Sequence, residues 1–162
     1  MTIYYADDGE AISSHIKNYF EEGRRFQLQV STVNVGGGQD SKQNNRCSLS
    51  LGLLTPDMLH DLERKPKDYL SNVCKQGQKR AFLCHDSVDL TDSNNESILS
   101  NACSDYDQWN KISLGNSNEN YKMALLSIMQ LMESTPNASP VLVEYKIIPK
   151  KISSVSIFYL CG

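Results

Sequence analysis

The sequence predicts an α/β fold: one parallel sheet, doubly wound, with helices on both faces. Three observations carry this. Strand-like runs alternate with helix-patterned runs through residues 1–133, the order that builds parallel sheets. The run from Cys47 to Leu54 is apolar enough for a central strand, whereas the run at Phe26 to Val30 alternates with Gln as an edge strand does. Apolar residues make up 40% of the 162-residue chain and charged residues 22%, a balance that supports a core and excludes disorder, collagen and coiled coil.

Taken in order, Thr2-Ile3-Tyr4-Tyr5 is a β-rich opening strand, and Asp7-Asp8 can cap the helix behind it. Ile12, Ile16, Tyr19 and Phe20 stand at i, i+4, i+7 and i+8, one stripe of that helix. Glu10 suits its positive end and Gly23 its stop. Phe26, Leu28 and Val30 then alternate with Gln27, Gln29 and Ser31, which predicts the second strand with one wet face. A polar loop follows, from Gly36-Gly37-Gly38 to Asn44-Asn45, before the third strand at Cys47 to Leu54.

Thr55-Pro56-Asp57 is a strong helix start: Thr caps, Pro takes the first helical position, and an acid sits in the first turn. Met58, Leu59 and Leu62 give this helix an apolar face before Pro66 interrupts. A second short helix is predicted from Asp68 to Gln76, with Tyr69, Leu70, Val73 and Cys74 inward and Gly77 at its end. Arg80 to Cys84 reads as the fourth strand, the polar stretch 86–97 as loop, and Ser97 to Cys103 as a weak helix. Lys111 to Leu114 is the fifth strand. Behind Gly115-Asn116-Ser117, Tyr121, Leu125, Ile128 and Met132 form the stripe of a last helix, widened by Ala124 and Met129.

Five strands wound this way suit the flavodoxin-like order 2-1-3-4-5, which makes the second strand an edge. At Ser134 the character changes. Residues 134–140 are linker-like, and two alternating β runs follow, Val141 to Ile148 and Val155 to Leu160, a C-terminal β extension too small to stand alone.

Composition narrows the function classes. A formal charge of −3 argues against binding nucleic acid through bulk electrostatics. The longest apolar runs fall short of the roughly 20 residues that span a bilayer, so no direct membrane insertion is expected, and no secretion signal is read at the start. Cysteines at 47, 74, 84, 103 and 161 form no CxxC pair, which suits free thiols in a reducing compartment. The sequons at Asn95 and Asn137 carry little weight in that setting.

Several residues invite a chemical reading. Asp7-Asp8 resembles the Mg²⁺-holding acids of a response-regulator receiver. However, the third strand ends Leu53-Leu54-Thr55 without the phosphoryl-accepting Asp, and the fifth ends Leu114-Gly115 without the Lys, so helix capping is the favoured role. Gly36-Gly37-Gly38 lacks the spacing of a phosphate loop and does not open a helix. Cys84-His85-Asp86 places a thiol, an imidazole and a carboxylate in a row, but neighbours along a strand point to opposite faces and make no dyad. His15, His60 and His85 stand apart from one another and from the cysteines, so no metal, cofactor or catalytic residue is assigned. The stretch that stands out for interaction is the long loop beside the edge strand: Gly36, Gly37, Gly38, Gln39, Asp40, Asn44, Asn45 and Arg46. Trp109 is expected to be a core or domain-edge anchor.

The composite pattern resembles a TIR domain, and more narrowly the divergent TIR of the B-cell adaptor and Downstream-of-FGF-receptor adaptor family. Three stretches carry the likeness: Ile3-Tyr4-Tyr5-Ala6-Asp7-Asp8-Gly9-Glu10 with its helix ending Tyr19-Phe20; Cys47 to Leu54 with Thr55-Pro56-Asp57-Met58-Leu59; and Lys79-Arg80-Ala81-Phe82-Leu83-Cys84, with His85 in place of the usual Gly. Trp109 ahead of the fifth strand and Tyr121 at the head of the last helix complete it. The resemblance spans residues 1–133. It implies that residues 134–140 lead into an immunoglobulin-like module beginning near 141–162.

What the resemblance implies for function is a non-enzymatic interaction module of a cytoplasmic signalling adaptor, recruited near the plasma membrane downstream of receptor tyrosine kinases such as the FGF receptor. Its partners would be a second copy, the receptor's cytoplasmic region or other adaptors. Some TIR domains cleave NAD with a glutamate on the helix after the third strand, four residues beyond an aromatic. Here Tyr69 leads to Val73 at that position, which can neither accept a proton nor stabilise an oxocarbenium ion, and Glu63 lies out of register. A NAD-cleaving hydrolase is therefore the alternative reading.

Overall fold

The computed structural model describes residues 1–22, 29–37, 49–74 and 79–133. Strand β1 (Thr2–Tyr5) is followed by a 3-10 turn at Asp7–Gly9 and helix α1 (Glu10–Glu22). Then come β2 (Ser31–Asn34), β3 (Leu49–Leu54), α2 (Pro56–Glu63), α3 (Tyr69–Val73), β4 (Lys79–Cys84), α4 (Ser93–Ala102), β5 (Asn110–Ser113) and α5 (Asn118–Glu133). The five strands form one all-parallel sheet in the order β2-β1-β3-β4-β5, the predicted doubly wound arrangement with β2 at an edge and β3 in the centre.

Each face of the sheet buries its own apolar layer. On one side Ile3, Leu51, Leu53, Leu83 and Ile112 pack with Ile16 and Phe20 of α1 and Ala124, Leu125 and Ile128 of α5. On the other, Tyr4, Leu54, Phe82 and Trp109 pack with Met58, Leu59 and Leu62 of α2, Leu70 of α3, and Leu99 and Ala102 of α4. Both layers follow from alternation along the strands, since successive side chains leave opposite faces. Trp109 is the anchor expected of it: it is buried and stacks on Phe82 with ring centroids 4.5 Å apart. Gly52 makes room for that stack, because a Cβ there would stand 2.9 Å from the Phe82 ring.

Three expectations need correction. The second strand is Ser31–Asn34, paired Thr2↔Ser31 through Tyr5↔Asn34, and Gln29 and Val30 of the expected run precede it. The even-numbered alternation ends at Val30, which packs in the α1 layer, and the apolar side chains then move to the odd positions Val33 and Val35 in the opposite layer. Helices cover both faces of the sheet, so a one-face pattern misplaces a strand with apolar residues on each side. The fourth helix begins at Ser93, inside the stretch expected to be loop, because Asp92 accepts from the backbone N–H groups of Asn94 and Asn95 and caps it. Its polar first turn resembles a loop by composition alone. Asp7 and Asp8, expected to cap α1, bond instead to Asn34 and to Thr55. Gly23, Gly77, the run Phe26 to Leu28, and everything from 134 to 162, including the expected linker and β extension, lie outside the described residues. Among the described residues no helix is long and apolar enough to cross a membrane.

Candidate functional site

Ligands of doubly wound sheets meet the carboxyl ends of the strands, so the site is built there first. β1 ends in Tyr5 and delivers Asp7 and Asp8. Neither caps the helix that follows. Asp8 reaches across to the end of β3, where one carboxylate oxygen accepts from Thr55 Oγ1 and the other from Asp57 N–H at 3.1 Å. Thr55 Oγ1 in turn accepts from Met58 N–H at 3.3 Å. Thr55 and Asp8 together therefore cap α2. Capping was the right chemistry and α1 the wrong helix, since the capped end comes from 47 residues further along the chain.

Asp7 does a different job. Its Oδ1 accepts from Asn34 Nδ2 at 2.7 Å, and Asn34 Oδ1 accepts from Gly36 N–H at 2.9 Å. This relay holds the exit of β2 against the end of β1. Gly36 sits close to α2, where a Cβ would lie 2.7 Å from Asp61 Oδ2. Of the predicted interaction loop, Gly36 and Gly37 are thus placed at the carboxyl end of the sheet, and Gly38, Gln39, Asp40, Asn44, Asn45 and Arg46 lie outside the described residues.

At the end of β4, Cys84 is buried and its thiol is pushed up to about 11 by desolvation. His85 turns to its own loop: Nδ1 lies 2.7 Å from Ser87 Oγ, 3.2 Å from Ser87 N and 3.0 Å from Asp86 Oδ1. A protonated Nδ1 donates to Asp86; a bare one accepts from Ser87 N–H. The three residues in a row do not make a nucleophile, base and orienter.

Family models, curated proteins and solved structures give no match to this chain. Its chemistry is therefore read from its own residues. Val73 closes α3; its side chain packs against the core and its carbonyl accepts from Tyr4 Oη at 3.3 Å. Glu63 ends α2 and is exposed. Among the described residues no group of three or more His, Cys, Asp or Glu side chains is placed to hold a metal ion. Asn95 of the first sequon is inside α4, with its Nδ2 donating to Asp89 O.

Sequence reasoning missed one polar assembly, at the opposite end of the sheet. Asp105 accepts from Cys103 Sγ at 2.9 Å and Trp109 Nε1 at 3.3 Å, lies 3.3 Å from Ser71 Oγ, and is ion-paired with Arg80. Burial alone pushes this carboxyl up, but the hydrogen bonds from Cys103 and Arg80 and the Arg80 charge outweigh it and hold it low. Arg80 also lies over the Trp109 ring, 5.2 Å from its centroid. No spacing in the sequence announces a cluster drawn from α3, β4 and the turn before β5.

Proposed function

We propose that this chain is a non-enzymatic TIR-like interaction module of a cytoplasmic signalling adaptor. It acts downstream of receptor tyrosine kinases, with an FGF receptor preferred, and works by self-association and scaffold assembly. The observation that carries the reading is how the carboxyl end of the sheet uses its polar groups. Asp7, Asp8 and Thr55 are committed to fastening β2 and α2, and Cys84 is a buried thiol held protonated. What these groups build is a braced sheet edge at the exit of β2, an arrangement suited to protein contact. The Val73 position, with its apolar side chain in the core layer, supports the non-enzymatic half of the proposal.

Sedimentation velocity of the purified chain across a wide concentration range, with pull-down against the receptor's cytoplasmic region, tests the reading. Concentration-dependent self-association or receptor binding is the expected result. A chain that stays monomeric and binds neither overturns it. Nicotinamide release from NAD that is abolished by Glu63→Ala would replace it with the hydrolase reading.

A further inference from the structure

We draw no further inference here: the strongest candidate, the outer edge of β2 at the rim of the sheet, is flanked by a Val30 N–H already bonded to Glu21, and nothing in the structure shows what covers it.

Discussion

Asp105 shows how much a single carboxylate can tie together: the start of β4 through Arg80, the buried indole of Trp109, the end of α4 through Cys103, and α3 through Ser71. Replacing it with Ala leaves Arg80, only 15% exposed, without its counter-charge. Because Asp105 itself stays partly exposed, the expected loss is about 2–4 kcal/mol in urea unfolding, at or below the range for a fully buried pair. The pH dependence has a definite sign. The folded carboxyl is held below its unfolded value of about 3.9, so its contribution is complete above that value and is lost as pH falls through the lower, folded one. Asp105→Asn should therefore flatten the acid limb of a stability profile measured below about pH 4. An unchanged limb would show that the clamp is not coupled to folding. The thiols give a second prediction at this scale. Desolvation pushes Cys74 up to about 12 and Cys84 and Cys103 to about 11, so these three should resist alkylation at pH 8 in the native protein and react in urea, as read by peptide mass mapping.

Among the elements, α2 has the most legible start and the least expected support. Thr-Pro-Asp announces the cap, and the structure adds Asp8 from the end of β1. Thr55→Ala should cost about 1–2 kcal/mol in chemical denaturation. Asp8→Ala should be non-additive with it in a double-mutant cycle, because both act on one helix end. Full additivity would mean that the two groups do not share the cap. α4 makes the converse point. Asp92 is as good a cap as Thr55, but Ser93-Asn94-Asn95-Glu96 behind it has loop composition, so the helix announces itself in sequence only when Ile98 and Leu99 arrive. β2 is harder still, because its boundary is chosen by pairing with β1, which no local pattern encodes.

For the whole molecule, the placement of the helices limits how the sheet can grow. α1 and α5 share one face and α2, α3 and α4 the other; right-handed crossovers from β1 outward to β2 and from β3 through β5 require this of α1 and of α2, α3 and α4. A further parallel strand beyond β5 would have to be reached through α5 on the face that makes that crossover left-handed, so in-sequence parallel growth stops at β5. Among the described residues, both apolar layers are built from side chains between Met1 and Met132. Deleting residues 134–162 is accordingly expected to leave the calorimetric melting temperature within about 4 °C of the full chain; a fall of about 8 °C or more would mean that this segment completes the core.

What the sequence determined by itself was the class of fold, the strand order and the character of most elements, because period, caps and composition are local properties that survive any arrangement of the chain. It identified Trp109 as an anchor from residue type, and from strand alternation it read Cys84 and His85 as pointing apart, as their separate hydrogen bonds to Phe82 and Ser87 agree. Only the tertiary structure decided which helix Asp8 caps, where β2 pairs, and that Ser71, Arg80, Cys103 and Trp109 converge on Asp105. Each of those is a contact between residues distant in the chain. Such contacts are selected by the geometry of the packed layers, and no periodicity within one segment records them.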